Sequence, residues 1–255
     1  MDMKLFKAFL LLASLLLFSC GCSTNEQALQ KASIHSRLGL NHLQQGDPTS
    51  ALRELLEAER LNPNDPQTHY ALGWAYSAKG RFPQALEHYR QALKLDPKYT
   101  EAHNAMGGAY LEMGLWDEAI KEFETVLKDI LYLTPFYVLN NMGWAYYKKG
   151  DRKSAIEYFK KAIAMKPDFG LAYYNMGLAY KDNQQTEEAI AALRLAVGLA
   201  SKFLDAHFQL GLLYFNSGKR GEAEKSFQAV VRIAPQSESA RLAQQYLDLL
   251  KKSAN

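Results

Sequence analysis

Along most of this chain, apolar residues recur every three or four positions, which is the period of an amphipathic helix. Within residues 65–97, His69, Leu72, Gly73 and Tyr76 share one helical face at the i, i+3, i+4, i+7 spacing. The segment that follows has a second face of small and large apolar residues, made up of Ala85, Leu86, Tyr89, Ala92 and Leu93. The pattern therefore predicts two helices joined by a short turn, a helical hairpin.

Residues that favour helix ends mark the bounds of this hairpin. Asp65 is suited to cap the first helix, and Pro66 to its first position, where a backbone N–H would be unpaired. Gly80 accepts the left-handed backbone of a helix end. Asp96 and Pro97 then close the second helix. Each predicted helix is therefore about three turns long.

The same pattern occurs six times, with a period of 34 residues that one spacing of 36 interrupts. Each repeat has a glycine at the equivalent place, and these are Gly39, Gly73, Gly107, Gly143, Gly177 and Gly211. An alanine follows each glycine in the second helix, and these are Ala51, Ala85, Ala119, Ala155, Ala189 and Ala223. One turn further stands a large apolar residue, namely Leu55, Tyr89, Phe123, Phe159, Leu193 or Phe227. This order of residues at this period resembles the tetratricopeptide repeat.

The resemblance implies an all-α fold, a right-handed superhelical solenoid of six helical hairpins over residues 34–236. A capping helix over residues 237–255 completes it, because Leu242, Tyr246 and Leu249 recur at helical spacing. A lone hairpin cannot bury its apolar faces, whereas stacked hairpins cover one another. We expect about thirteen helices and no sheet.

The N-terminus has the form of an export signal, over residues 1–19. An uncharged apolar run over residues 8–18 follows Lys4 and Lys7, and it is too short to span a bilayer. The sequence after it, Leu17-Phe18-Ser19-Cys20, resembles a bacterial lipobox.

Cys20 is therefore the predicted site of lipidation, within a tether that we expect over residues 20–33. Cys22 is the competing acceptor, and a plain secretory signal is the alternative interpretation. Because Gly21 rather than Asp follows Cys20, the resemblance to bacterial lipoproteins favours a lipid-anchored protein on the periplasmic side of the outer membrane. Both cysteines lie in this segment, so the repeats contain no internal disulfide.

Charge and composition argue against several function classes. The net charge is only +3, and acidic and basic residues are interspersed, so the electrostatic footprint of a nucleic-acid-binding protein is missing. No catalytic constellation and no phosphate-binding loop is present, and we expect neither an enzyme, nor a cofactor, nor a small-molecule substrate. Four histidines share the position four residues before a repeat glycine, and these are His35, His69, His103 and His207. Because equivalent positions in adjacent repeats lie about 8–10 Å apart, we expect packing rather than a metal site.

A second stripe on the first helices is rich in large apolar residues. It occupies the positions three before, one after and four after each repeat glycine, and we call it the aromatic stripe: Tyr70, Trp74, Trp144, Tyr147, Tyr174, Leu178, Phe208, Leu212 and Phe215. In a tetratricopeptide solenoid this stripe lines the concave groove. Aromatic residues dominate binding hot spots, so we predict a protein-binding groove. The alternative is that packing within the solenoid buries some of these side chains.

Amide side chains accompany the aromatic stripe. Asn141, Asn175 and Gln209 each lie two residues before a repeat glycine. An amide both donates and accepts hydrogen bonds, so such a ladder is suited to hold an extended peptide backbone. The alternative is that these amides are ordinary polar residues of a helix surface.

The junction between the third and fourth repeats departs from the period. Its sequence contains Leu131-Tyr132, Pro135 and Asn141-Met142-Gly143, with further aromatics between them. These residues, together with the lipobox and the six repeats, resemble the type IV pilus pilotins, the PilF/PilW/Tgl family of lipoproteins. The resemblance implies a non-enzymatic outer-membrane factor that helps the pilus secretin to reach the membrane and assemble. Alternatives are a lipoprotein scaffold for cell-wall enzymes and an accessory to the outer-membrane protein insertion machine.

Overall fold

The computed structural model describes residues 26–252, which form two compact units divided between Leu115 and Trp116. Across these residues the chain forms thirteen α-helices and no strand, which confirms the predicted all-α repeat solenoid. None of these helices combines the length and the apolar character that crossing a membrane requires. The predicted signal, Cys20, Cys22 and the last three residues lie outside the described part of the chain.

The first unit contains five helices, and the second contains eight. The helices of the first unit are α1 (26–44), α2 (Pro48–Leu61), α3 (Pro66–Ala78), α4 (Phe82–Leu95) and α5 (Thr100–Glu112). Those of the second unit are α6 (Trp116–Val126), α7 (Pro135–Lys149), α8 (Arg152–Met165), α9 (Gly170–Asp182), α10 (Thr186–Leu199), α11 (Leu204–Asn216), α12 (Arg220–Ile233) and α13 (Glu238–Lys252). Within each unit, helices consecutive in sequence pack against each other, and α1 meets α2 where Gly39 lies against Leu55.

The predicted tether is shorter than the sequence suggested. Residues 26–33 already belong to α1, where Ala32 is 4 % exposed. Ala32 and Ser36 are spaced one turn apart and both are buried, so this segment has a packing face of its own. The first hairpin therefore begins before residue 34.

The contact between glycine and the large apolar residue explains the repeat signature. A Cβ placed on Gly73 would lie 2.4 Å from the Tyr89 ring, and one on Gly143 would lie 2.7 Å from the Phe159 ring. Gly39, Gly177 and Gly211 approach their partners as closely. The alanines of the signature are all fully buried, namely Ala51, Ala85, Ala119, Ala155, Ala189 and Ala223. Small residues therefore let a ring or a leucine of the second helix fill the space beside the first helix.

Each hairpin turn is closed by the same backbone hydrogen bond. An N–H donates to the carbonyl five residues earlier at 2.9 Å in all six turns, from Asp47, Arg81, Leu115, Asp151, Gln185 and Lys219. The residue before each of these donors has a positive φ, as the Schellman motif requires. Five of these residues are glycines, whereas the sixth is Gln184, with φ 61°. The fifth repeat therefore keeps the geometry of the others without the expected glycine.

The last helix covers the end of the repeats, as predicted. α13 packs on α11 and α12. The Tyr246 ring stacks on Phe227 with centroids 5.0 Å apart, and it meets the edge of Phe215 at 5.1 Å. Leu247 and Leu250 complete this cluster. The capping helix thus closes the apolar core of the second unit.

Candidate protein-binding surface

In the first unit, two residues of the aromatic stripe line an open cavity. Tyr70 and Trp74, both on α3, border a space of ≈ 670 Å³ together with Phe82, Gly108 and Glu112. Trp74 is 37 % exposed. Tyr70 is partly buried and meets the edge of the Tyr99 ring at 5.1 Å. This cavity is large enough for several side chains of a bound segment.

Gly108 is the residue that keeps this cavity open. It follows Gly107 directly, at the stripe position that holds tryptophan or leucine in all five other repeats. A Cβ placed on Gly108 would meet no atom within 4 Å. The sequence prediction of the groove rested on large apolar residues and therefore did not include Gly108. The cavity exists because Gly108 has no side chain.

In the second unit, Trp144 and Tyr147 form a stacked pair on α7. Their ring centroids lie 5.1 Å apart, and Lys148 Nζ lies 5.2 Å from the Trp144 centroid. The Tyr147 hydroxyl donates to Asp182 Oδ2 at 2.6 Å. Burial and then this hydrogen bond raise the pKa of Tyr147 to about 12. The pair is partly exposed and is fixed by α9 through Asp182.

Two residues assigned to the groove are buried instead. Asn175 is 6 % exposed, and Leu178, on the same helix, is 8 % exposed. Asn175 Nδ2 donates to Asn140 Oδ1 at 3.0 Å across the contact between α7 and α9. Both side chains are therefore removed from the groove surface. For Leu178, a member of the aromatic stripe, this is the alternative that the sequence left open.

The predicted amide ladder is used largely within the protein. Asn141 is partly buried, and its Oδ1 lies 3.5 Å from Asn140 Nδ2. Gln209 Oε1 accepts a hydrogen bond from Lys181 Nζ at 3.0 Å. With Asn175 bonded to Asn140, these amides connect the protein's own side chains. They do not form the row of vacant groups that a bound backbone would need.

The C-terminal part of the aromatic stripe packs onto the core of the second unit. Phe208, Leu212 and Phe215 are partly buried against it. Phe208 meets the edge of Phe227 at 6.0 Å. Tyr174, one repeat earlier, is partly buried beside Phe203, with centroids 4.7 Å apart, and burial raises its pKa. Some of the predicted groove residues are thus exposed, and others pack against the core. A single groove through all six repeats stays a prediction.

The connection between α6 and α7 presents another apolar surface. We call residues 127–134 the junction loop. Its Ile130, Leu131 and Leu133 are 94 %, 80 % and 92 % exposed. A hydrogen bond from the Leu131 N–H to Asp129 Oδ1 at 2.9 Å shapes the turn. Sequence reasoning used this segment for its resemblance and did not include its side chains in the binding surface.

An aromatic cluster follows the loop in sequence. Phe136 and Tyr137 begin α7 with ring centroids 4.4 Å apart, and both meet Phe169 nearly edge-on. Tyr137 is 49 % exposed. Tyr137 and the three loop residues thus place four exposed large hydrophobic side chains within eight residues of the second unit, and exposed apolar surface of this kind marks interaction sites.

A cluster of titratable side chains lies in the first unit, away from the aromatic stripe. Glu59 of α2, His69 of α3 and His88 of α4 bring three ligand-type atoms within 4.8 Å of one another. Burial lowers the pKa of His88. The expectation from the sequence rested on the spacing of histidines at equivalent positions, and it did not consider a partner such as His88.

Comparison with known proteins supports the repeat assignment. Tetratricopeptide repeat families match residues 39–80, 75–114, 99–168, 140–202 and 174–238. A comparison with curated protein sequences finds no match.

Solved structures share the fold at low sequence identity. PilF of Pseudomonas aeruginosa superposes with a TM-score of 0.73 at 22 % identity, over 88 % of this chain and 99 % of PilF. PilW, described as a widely conserved type IV pilus biogenesis factor, gives 0.77 at 20 % identity, over 84 % and 99 % of the two chains. YrrB, described as having an unusual peptide-binding site, gives 0.56 at 20 % identity, over 75 % and 97 %.

These similarities agree with the contacts that the structure shows. The matched segments together run through residues 39–238, and each hairpin turn in that range has the same hydrogen bonds. The fold is one that serves as a scaffold for protein–protein interaction. The chain belongs to the tetratricopeptide repeat family.

Proposed function

We propose that this protein is a lipid-anchored assembly factor of the bacterial outer membrane, which binds a pilus secretin and promotes its multimerisation. The observation that carries the proposal is the junction loop, where Ile130, Leu131 and Leu133 are almost fully exposed. Large exposed apolar side chains in one short loop are typical of an interaction site. The loop also contains Leu131-Tyr132, the first of the residues that resemble the pilotins, and the others follow it in α7.

The likeness to PilF and PilW supports the direction of this proposal. Both of those chains are covered over 99 % of their length, and PilW is described as a type IV pilus biogenesis factor. The lipobox supports the membrane anchor, with Cys20 as the acylated residue. A chain with several lipid groups would stay on the membrane while its repeats bind a protein partner.

We assign separate roles to the two apolar surfaces. The junction loop makes the first contact with the secretin, since its side chains protrude and need no rearrangement. The cavity beside Trp74 receives an extended or helical segment of a partner, because it is open and its lining is mainly apolar. Tryptophan is among the residues that contribute most to binding when truncated to alanine.

The test of the loop is complementation in the bacterium that encodes the protein. A deletion strain receives either the wild-type gene or Ile130→Ser, Leu131→Ser and Leu133→Ser combined, and secretin multimers are measured by gel electrophoresis of the envelope. We expect multimers with the wild type and a strong loss with the triple variant. The control carries Met165→Ser and Leu195→Ser, two exposed apolar helix residues elsewhere in the second unit. Normal multimers in the deletion strain itself would overturn the proposed function.

Two further variants test the anchor and the cavity. Cys20→Ala should leave the protein without lipid and released from the membrane, whereas Cys22→Ala should not. Trp74→Ala should weaken partner binding about thirtyfold, which corresponds to about 2 kcal/mol. Gly108→Leu should weaken it by filling the cavity. Partner capture that is unchanged by both cavity variants would remove the cavity from the proposal.

A further inference from the structure

Three side chains from three different helices converge at one point of the first unit. His69 is 5 % exposed, whereas the side chains of His88 and Glu59 are 17 % and 29 % exposed. His69 Nδ1 lies 3.4 Å from His88 Nδ1 and 3.5 Å from Glu59 Oε1. His88 Nδ1 lies 3.8 Å from the same Glu59 oxygen.

The hydrogen bonding of His69 fixes which of its nitrogens is unprotonated in the neutral ring. Nε2 lies 2.9 Å from the carbonyl oxygen of Pro63. A carbonyl oxygen only accepts, so Nε2 carries the proton and Nδ1 is left with a lone pair. This lone pair faces a carboxylate oxygen and a second imidazole nitrogen. Metal-binding histidines commonly donate their other N–H to a carbonyl in this way.

The distances among the three atoms are long for direct hydrogen bonds. Donor–acceptor distances involving nitrogen cluster at about 2.7–3.2 Å, and all three separations here exceed that range. They fit a shared ion instead. A triangle with these three sides has a circumradius of about 2.1 Å, which is the usual length of zinc–nitrogen and zinc–carboxylate bonds.

The first repeat shows the ordinary contact at the equivalent pair of positions. His35 occupies the place of His69, and Glu54 that of His88. His35 Nδ1 lies 2.7 Å from Glu54 Oε2, a direct hydrogen bond. The second repeat has His88 where the first has Glu54. The ligand-type atoms of Glu59, His69 and His88 are 3.4–3.8 Å apart, further than the 2.7 Å of the contact in the first repeat.

The sixth repeat supplies a comparison without the cluster. His207 Nε2 lies 3.0 Å from the Ser201 carbonyl, the same bond that His69 makes to Pro63. The places of Glu59 and His88 are taken there by Val197 and Ser226, and both line one cavity with His207. His69 and His207 thus share the bond to a loop carbonyl, whereas within residues 26–252 the three-ligand arrangement is found at His69 alone.

We propose that Glu59, His69 and His88 form a binding site for a divalent transition-metal ion of the zinc class. Two imidazole nitrogens and one carboxylate oxygen suit such an ion better than Mg²⁺ or Ca²⁺, which prefer oxygen ligands. The bound ion cross-links α2, α3 and α4 through these three ligands. Because it binds the folded chain, it raises the stability of the first unit.

The experiment uses the full chain with Cys20→Ser and Cys22→Ser, since free thiolates also bind zinc. Isothermal titration with Zn²⁺ should show one tight site, and the melting temperature should rise with added Zn²⁺. Co²⁺ should give the visible absorption bands of a low-coordinate site. The absence of any stoichiometric binding of Zn²⁺ would overturn the proposal.

Matched variants connect the binding to these residues. Glu59→Gln keeps the shape of a partly exposed side chain and should weaken Zn²⁺ binding more than about tenfold. His88→Ser introduces the residue found in the sixth repeat and should abolish the Co²⁺ bands. His207→Ala removes a histidine that has no such partners and should change neither. Wild-type affinity in both Glu59→Gln and His88→Ser would overturn the assignment, since Zn²⁺ would then be bound elsewhere on the chain.

Discussion

The aromatic stripe is open in the first unit and covered in the C-terminal part of the second. Trp74 stands beside an empty cavity, because the next repeat has Gly108 at the corresponding position. Phe215, three positions further along the same helical stripe of a later repeat, lies against Tyr246 of the capping helix. The same helical stripe therefore borders an open cavity where the neighbouring residue is small and makes a core contact where the neighbouring residue is large.

The largest expected effect tests the covered region. Phe215→Ala should lower the free energy of unfolding by about 2–4 kcal/mol, because it removes the ring that packs on Tyr246 and the core behind it. Trp74→Ala is the matched variant in the open region and should change stability by less than about 1 kcal/mol. Denaturant unfolding followed by circular dichroism measures both. Equal losses for the two variants would show that Trp74 is as much a part of the core as Phe215.

A second prediction concerns the close contact of Gly73 with Tyr89. Gly73→Ala places a methyl carbon 2.4 Å from that ring, so the helices must separate. Overpacking of this kind should lower the free energy of unfolding by about 1–3 kcal/mol, measured as above. A melting temperature equal to that of the wild type would show that the hairpin register described for α3 and α4 is wrong.

Tyr147 is intermediate between the exposed Trp74 and the covered Phe215, since it is partly exposed yet hydrogen-bonded to Asp182. Tyr147→Phe should lower the free energy of unfolding by about 1 kcal/mol at neutral pH. The folded-state pKa of about 12 lies above the ordinary value of 10.0, so this contribution is fully present below pH 10.0 and is lost as the pH rises towards 12. Unfolding of the wild type and the variant across this pH range should show their difference shrinking. A difference that grows with pH would contradict the assigned hydrogen bond.

The smallest effect sharpens the description of the open region. Gly108→Ala meets no atom within 4 Å and lies inside α5, so it should raise the free energy of unfolding by about 0.5–1 kcal/mol. A loss of stability on thermal unfolding would mean that another part of the protein fills the space beside Gly108.

Periodicity predicted the helices, and residue size predicted their contacts. Ala85, Ala155 and their equivalents are fully buried, because a 34-residue period with small residues at fixed places leaves little choice of packing. The C-terminal helix was likewise predictable from apolar residues at helical spacing. By contrast, the length of the tether was misjudged, since Ala32 gives a weak signal until its packing partner is present.

The candidate sites were harder to predict for a physical reason. A stripe on a helix shows which side chains point in one direction, but it does not show what packs opposite them. Asn175 and Leu178 were assigned to the same groove as Trp144, yet both are buried, Asn175 in the contact between α7 and α9. The cavity beside Trp74 depends on an absent side chain, and the cluster at His69 depends on residues from two other helices.

The single glutamine among the six hairpin turns determines which of these turns unfolds locally most often. Gln184 adopts the left-handed conformation, at φ 61°, that five glycines adopt elsewhere. This conformation costs a residue with a side chain about 1 kcal/mol more than it costs glycine. The backbone amides that close the turn between α9 and α10 should therefore exchange with deuterium about fivefold faster than those of the glycine turns. Among the six hairpin turns, local unfolding would then start in the fifth, so a protease should cut that turn before it cuts the glycine turns.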